Sequence, residues 1–332
     1  MHPFELARPR DLSTAMAIHA CARQDDVLVE YISGGTDMVQ LLQENVRHPH
    51  KLISLAGLLD SRIEVSSEVL RLGAGATMAD VAAHSGVADG YPVIVQALLN
   101  SASPQVRNQA TLGGNILQRT RCPYFRDVGY DACNKRAPGS GCAAIGGENR
   151  WHAVLGASPD CIAVHPSDLA VALAALDARV VIAHSNGERI VSMEEFHQLP
   201  GTTPHIESVL EAGEMVTAII VPASPMARNS HYLKVRDRAS FEFAMTSVAV
   251  AIAIENGRIA QARVAVGGVA TKPWRLRNVE AALTGSSGEA PALRAAAALA
   301  ADGACGHGHN DFKIELMQRA IVRALETARE RS

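Results

Sequence analysis

The stretch of residues 119–150 constrains this chain most, because it holds almost nothing from which an apolar core could form. Val128 and Ile145 are its only aliphatic residues larger than alanine, and glycine and proline recur through it. An irregular stretch of this length inside a compact domain is uncommon and is usually functional or disordered. We therefore expect a feature other than apolar packing to order it.

Cysteines concentrate in and just beyond this stretch. Six cysteines in 332 residues are too few for a disulfide scaffold, and Cys21 and Cys305 are isolated. The other four fall within 40 residues, at Cys122, Cys133, Cys142 and Cys161. They lack the close pairs typical of structural zinc, whereas an iron–sulfur cluster needs four thiolates and accepts irregular spacing. The spacing therefore favours an iron–sulfur cluster over a zinc site. It favours a zinc site, in turn, over four cysteines that act only as small buried apolar residues.

The local charge favours the cluster. Residues 119–150 carry six Lys or Arg against three Asp or Glu. A [4Fe-4S] cluster with four thiolates has roughly two net negative charges, which this basic excess would offset.

The overall composition excludes several classes of protein. Hydrophobic residues make up 48% of the chain and charged residues 20%, which argues against disorder. The net charge of -3 favours neither a nucleic-acid partner nor a polybasic membrane contact. No apolar run has the length of a membrane span, and the first residues lack a signal-peptide pattern. The length is typical of about two domains.

The pattern of apolar residues predicts two kinds of organisation. Strands and helices alternate in the first half, and strands followed by helices mark a smaller α+β domain after a boundary near residues 222–225. The predicted helices cover residues 11–23, 38–43, 78–84, 91–101, 167–176 and 311–327. The predicted strands cover residues 27–32, 69–72, 179–184, 189–191, 230–235, 247–254 and 258–266.

Two glycine-rich turns could meet a ligand. The first is Ser33-Gly34-Gly35-Thr36-Asp37, and the second is Ala110-Thr111-Leu112-Gly113-Gly114-Asn115. Glycine lets the backbone approach a ligand closely, and amide groups at a helix start bind phosphate oxygens. Either turn alone is weak evidence, but the pair fits a large phosphorylated ligand held from two sides. The spacing is not G-x-G-x-x-G, so a Rossmann site is not indicated.

These motifs together resemble the FAD-binding medium subunits of the molybdenum hydroxylases. The resemblance rests on both turns and on Pro166-Ser167-Asp168. It continues through Tyr232-Leu233-Lys234-Val235-Arg236, Val266-Gly267-Gly268-Val269-Ala270 and His309-Asn310-Asp311-Phe312-Lys313. These motifs occur in the family's order along essentially the whole chain.

The resemblance implies an α+β protein. Residues 1–223 would form a vanillyl-alcohol-oxidase-type (PCMH-type) FAD-binding domain of two α/β subdomains, interrupted by an iron–sulfur insert at about 119–161. Residues 228–330 would form a C-terminal domain of the CO dehydrogenase flavoprotein type.

The resemblance also implies the cofactor site. The pyrophosphate of FAD would lie at the first turn. The second turn, Asp168, Lys234 and Ile220 would contact other parts of the cofactor. The implied set is Ile32, Ser33, Gly34, Gly35, Thr36, Asp37, Thr111, Gly114, Asn115, Asp168, Ile220 and Lys234. No catalytic residue is expected in this chain. Where the family often has an aromatic residue beside the flavin, this sequence offers Asn100 or Ser101.

The cysteine stretch resembles a narrower group, the FAD subunits of bacterial periplasmic aldehyde oxidoreductases. It implies a [4Fe-4S] cluster on the four clustered cysteines. The partners would be a large subunit with the molybdenum cofactor and a small [2Fe-2S] subunit. The large subunit would oxidise aldehydes, expected to be aromatic, to carboxylic acids, and electrons would leave FAD to an external acceptor. The complex would be periplasmic, exported folded with a signal-bearing partner, or else cytoplasmic. The alternatives are a 4-hydroxybenzoyl-CoA reductase subunit and a zinc-stapled scaffold without catalysis.

Overall fold

The computed structural model describes residues 1–24 and 27–331 of the chain. Its strands are β1 Glu5–Ala7, β2 Val29–Ile32, β3 Lys51–Ser54, β4 Ile63–Val65, β5 Val69–Gly73, β6 Arg179–His184, β7 Gly187–Ser192, β8 Met215–Pro222, β9 Ser230–Val235, β10 Thr246–Glu255, β11 Arg258–Gly267 and β12 Trp274–Arg275. Its helices are α1 Leu12–Gln24, α2 Met38–Gln43, α3 Met78–Ala83, α4 Ser85–Gly90, α5 Pro92–Leu99, α6 Pro104–Arg107, α7 Leu112–Ile116, α8 Pro123–Arg126, α9 Asp168–Ala175, α10 Met193–Phe196, α11 Pro225–Arg228, α12 Arg277–Leu283, α13 Ala290–Ala298 and α14 Phe312–Arg329. A short 3-10 helix spans Leu299–Ala301.

The first sheet is small and parallel, in the order β1-β3-β2. Helices α1 and α2 connect its strands, as parallel pairing requires. The first glycine turn follows the end of β2 and precedes α2. The sheet therefore presents that turn at its carboxyl edge, where α/β folds place ligands.

The second sheet is antiparallel and has the order β4-β5-β8-β6-β7. Helices α5 and α9 belong to the core on this sheet, and their sequences are apolar almost throughout. Ser167 caps α9 by accepting the amide of Ala170 at 3.0 Å. This apolar packing holds the second glycine turn, at α7, beneath α9.

The third sheet forms the C-terminal domain, in the order β12-β11-β10-β9. Its long strand β10 packs against α14 and α9, and β11 packs against α9 and α12. These layers confirm the expected α+β class, with two α/β subdomains followed by a smaller C-terminal domain.

Most of the predicted elements are present, with their ends shifted by a few residues. Strands β1, β3, β4 and β12 were not predicted because they have only two to four residues each. Strand β8 was missed because it is a nearly continuous apolar run without alternation. The strands predicted at 179–184 and 189–191 pair as a hairpin, and the second of them begins two residues earlier than predicted, because His184 pairs with Gly187. Helices α12, α13 and α14 follow the C-terminal sheet, and of these only the last had its residues predicted from the sequence.

Polar contacts order the insert, residues 119–161, in place of a large core. Arg136 donates to the carbonyls of Tyr124 at 2.8 Å and Phe125 at 3.0 Å. Asn134 accepts the amide of Gly141 at 2.8 Å. Because buried polar groups must be paired, such contacts can specify a loop that has little apolar material.

No helix in the described part of the chain is both long and apolar enough to cross a membrane.

Arg275 joins the C-terminal domain to α9. Its side chain is 1% exposed, donates to the carbonyl of Ala174 at 2.8 Å and pairs with Glu280 and Asp177. We expect Arg275→Met to lower the free energy of unfolding by about 3–5 kcal/mol, because the cationic partner left to buried Glu280 would be the exposed Arg277, at 3.8 Å. Thermal and urea unfolding measure the change.

Arg319→Met is the matched control, since its pair with Glu315 is exposed on both sides. We expect it to cost less than about 0.5 kcal/mol. Equal losses in the two variants would contradict the role given to Arg275.

Candidate functional site

A cavity with a volume of about 570 Å³ lies between the two domains. We call it the main cavity. A side cavity of about 280 Å³ shares four lining residues with it, namely Thr36, Asp37, Gly114 and Gln118. Together the two form an extended cleft, which suits an elongated ligand with several polar groups.

The cleft collects nearly all of the expected cofactor residues. Ile32, Ser33, Gly34, Gly35 and Thr111 line the side cavity, and Asn115, Asp168 and Lys234 line the main cavity. Thr36, Asp37 and Gly114 line both. Ile220 is the exception, because it lies within β8, paired with β5 and β6, and lines neither cavity. No part of the sequence pattern showed which way that strand faces.

The two glycine turns touch each other. Thr111 donates from its hydroxyl to Ser33 at 3.2 Å. A Cβ atom on Gly34 would lie 2.0 Å from the carbonyl oxygen of Gln109, and Gly35 has a φ of 74°. Glycine is therefore required at both positions, once for space and once for backbone conformation.

A buried ion pair forms the floor of the main cavity. The carboxylate of Asp168 accepts from Lys234 at 2.8 Å, from Ser101 at 2.7 Å and from Tyr232 at 2.5 Å. Burial, and then the charge of Asp168, raises the pKa of Tyr232 well above its ordinary value, so its hydroxyl stays protonated. Lys234 also donates to the carbonyl of Asn100 at 3.0 Å. Because every partner is satisfied, the pair can be buried without a free charge.

Asp37 connects the first glycine turn to the insert. It accepts the amide of Arg119 at 2.8 Å and the guanidinium of Arg126 at 2.7 Å, and it pairs with Arg121. Burial opposes the ionisation of Asp37, but the arginine charges outweigh it and hold its pKa below the ordinary value.

The four clustered cysteines line one small cavity inside the insert. Cys133 and Cys142 face each other across an isolated antiparallel bridge, and Cys133 and Cys161 are buried. Burial raises the pKa of Cys122 to about 12 and also raises that of Cys161. Without a bound cation the thiols of Cys122 and Cys161 stay protonated, so the binding of iron would release their protons.

No three His, Cys, Asp or Glu side chains within residues 1–24 and 27–331 are arranged to hold a metal ion. The structure thus adds one fact to the cysteine spacing, which is that the four side chains line the same cavity.

Several cavity residues were missed by the sequence reasoning. Trp151, Phe241 and Phe243 are partly exposed aromatic residues on the wall of the main cavity, and Phe243 lies under the guanidinium of Arg121. His152 is also on this wall. Isolated aromatic and histidine residues in irregular segments give no periodic signal by which to find them. Ser101, by contrast, is one of the two residues predicted to lie beside the flavin, and it does line the main cavity.

Buried histidines surround the site in their neutral form. Burial lowers the pKa of His152 and of His197 to about 4. Burial also lowers the pKa of His165 well below its ordinary value. The rings of His165 and His197 lie edge to face at 4.2 Å and both contact the carbonyl of Ile116.

The fold and cleft define a protein that can hold an elongated ligand with several polar groups between an α/β domain and a smaller sheet domain. Residues 2–224 match the model described as the FAD binding domain in molybdopterin dehydrogenase. Residues 231–328 match the CO dehydrogenase flavoprotein C-terminal domain. The chain therefore belongs to the family of FAD-binding subunits of the molybdopterin dehydrogenases, as its motifs suggested.

Relatives span nearly the whole chain. The aldehyde oxidoreductase FAD-binding subunit PaoB of Escherichia coli (strain K12) is 45% identical over 90% of this chain and 91% of its own length. The carbon monoxide dehydrogenase medium chain of Afipia carboxidovorans is 23% identical over 99% and 98%.

Solved structures agree in fold. Quinoline 2-oxidoreductase of Pseudomonas putida 86 superposes with a TM-score of 0.75 at 24% identity, covering 99% of this chain and 98% of that one. A Cu,Mo-CO dehydrogenase chain gives a TM-score of 0.76 at 21% identity with complete coverage of both.

Gly34→Ala tests the glycine turn. Its methyl group would collide with the backbone at Gln109, so we expect the two turns to separate and most of the bound FAD to be lost. Flavin absorbance per chain measures the effect. Gly90→Ala is the control, because an added Cβ there meets nothing within 4 Å. Full flavin content in Gly34→Ala would refute the close contact.

Asp37→Asn tests the link to the insert. We expect a loss of about 2–4 kcal/mol and faster proteolysis within residues 119–161, because buried arginines lose their shared anion. The pKa of Asp37 is lowered, so its stabilisation is complete above pH 3.8 and disappears as the pH falls through the lowered pKa.

Thermal unfolding of both proteins should therefore converge under strong acid. Asp60→Asn, which affects an exposed pair with Arg62, serves as the control. A constant difference between wild type and Asp37→Asn at all pH values would contradict the assignment.

Proposed function

We propose that this chain is the FAD- and [4Fe-4S]-containing electron-transfer subunit of a molybdenum-dependent aldehyde oxidoreductase. The observation that carries the proposal is the position of Cys122, which lines both the main cavity and the small four-cysteine cavity. The 45% identity to an aldehyde oxidoreductase FAD-binding subunit supports the substrate class.

The residues present fit FAD. Two contacting glycine turns leave room beside their backbone, and the Asp168 and Lys234 pair provides fixed polar atoms at the other end of the cleft. The turns would hold the pyrophosphate, and Asp168 and Lys234 would orient the ligand in the main cavity. When bound, flavin accepts electrons singly or in pairs, which suits transfer between clusters and an acceptor.

The donor set also fits a [4Fe-4S] cluster. All four cysteines line one cavity. In a [4Fe-4S] cluster each thiolate would bind a different iron, so the four need not converge on a single ion. Lys135 lies on the same cavity and is paired with Glu207 at 2.8 Å. Such a cluster supplies one-electron transfer. Phe125 and Ala163 line its cavity with apolar atoms and limit solvent access.

The proposed partners are a large subunit with the molybdenum cofactor and a small subunit with [2Fe-2S] clusters. In this assignment the substrate is oxidised on the large subunit, and this chain's residues position the groups that pass electrons to an external acceptor. We propose aromatic aldehydes as substrates.

Metal and flavin analysis of Cys133→Ser tests the cofactor assignment. We expect about four irons and one FAD in the wild-type chain, and loss of the iron–sulfur absorbance with retention of flavin in the variant. Cys21→Ser, at an exposed cysteine outside the insert, should retain both. Zinc without iron would favour a stapled scaffold, and absence of flavin would overturn the proposal.

The reaction direction needs a separate assay on the assembled complex. We expect reduction of the complex by benzaldehyde and no oxidation of the reduced complex by an aromatic CoA thioester. The reverse result would identify a CoA-thioester reductase instead.

We also propose a periplasmic location, reached by folded export with a partner that carries a signal. Cell fractionation tests it, with activity in the periplasmic fraction as the expected result. Recovery of activity only from the cytoplasmic fraction would contradict it.

A further inference from the structure

The side chain of His152 links the main cavity to the four-cysteine cavity through its contact with Cys122. The Nε2 atom of His152 lies 3.1 Å from the sulfur of Cys122. His152 lines the main cavity, whereas Cys122 lines both cavities. His152 is only 2% exposed, so water does not compete for this contact.

The C-terminal domain holds His152 in place. The backbone carbonyl of His152 accepts from Lys313 at 3.1 Å and from Asn310 at 3.3 Å. The backbone amide of His152 donates to the carbonyl of Asn149 at 2.9 Å. Lys313 is fully buried and also donates to the carbonyl of Gly268 at 2.8 Å. The backbone beneath the imidazole is therefore fixed from three sides.

The direction of the hydrogen bond follows from the chemistry of a ligand thiolate. A thiolate has no proton to give, so Nε2 must carry the hydrogen and donate. A neutral imidazole has one such hydrogen, which leaves Nδ1 as an acceptor. Nδ1 is buried and has no hydrogen-bond partner among the described residues.

We propose that His152 is a positioning residue that donates a hydrogen bond to the Cys122 thiolate and thereby raises the reduction potential of the cluster. The inference rests on the proposed [4Fe-4S] cluster. Reduction adds negative charge to the cluster and its sulfurs, so a donor to sulfur stabilises the reduced state more than the oxidised state. Since Cys122 borders the main cavity, this bond acts on the side of the cluster nearest the flavin site.

Redox titration of the assembled complex tests the inference, with the [4Fe-4S] signal followed by low-temperature electron paramagnetic resonance. We expect His152→Leu to lower the cluster potential by an amount equal to a several-fold to tenfold change in the one-electron equilibrium, about 59 mV at tenfold. His152→Gln keeps an N–H donor and should restore most of the potential. His231→Leu removes a half-buried histidine from β9 and should leave the potential unchanged.

Iron and flavin content are measured on every variant. An unchanged cluster potential in His152→Leu, with iron retained, would overturn the inference while the proposed function stood. A wild-type chain without iron would overturn the proposed cluster and this inference with it.

A second measurement uses only the wild-type protein and therefore does not depend on the folding of a variant. Wild-type protein labelled with 15N histidine should show magnetic coupling between the reduced cluster and an imidazole nitrogen in pulsed paramagnetic resonance. Absence of that coupling would contradict the hydrogen bond, even if His152→Leu could not be purified.

Discussion

The buried carboxylate of Asp168 is the contact on which the relation between the two domains depends. Asp168 is the first residue of α9 in the FAD-binding domain. Its carboxylate accepts hydrogen bonds from Tyr232 and Lys234 on β9 and from Ser101. A carboxylate this deep is stable only when its partners satisfy it. Its three donors therefore hold the walls of the main cavity in one arrangement before any cofactor enters.

Asp37 plays the corresponding role at the other side of the cleft. It connects the first glycine turn to Arg119, Arg121 and Arg126, all in the insert. The insert has little apolar material, and its shape comes from such polar contacts and from the cysteine cavity. The basic excess seen in the sequence is thus spent partly on structural pairs, with Asp37 and Glu207, and is not wholly available to offset a cluster.

Much of the fold was predictable because its signals are local. Buried helices such as α5 and α9 and the long strands β10 and β11 have strong apolar patterns, and the prediction of their positions is confirmed to within a few residues. Strands β1 and β4 have three residues each, too few for alternation to be visible. The same limit applies to Ile220, because its place in β8 depends on pairing with β5 and β6.

The sequence by itself determined the family, the two glycine turns and the presence of four clustered cysteines, because these are properties of residue type and order. Tertiary structure alone decided that the cysteines share one cavity, that Cys122 also borders the main cavity and that His152 meets its sulfur. Cys122 and His152 are 30 positions apart in an irregular segment. Contacts of that kind arise from packing across the fold, which no local periodicity encodes.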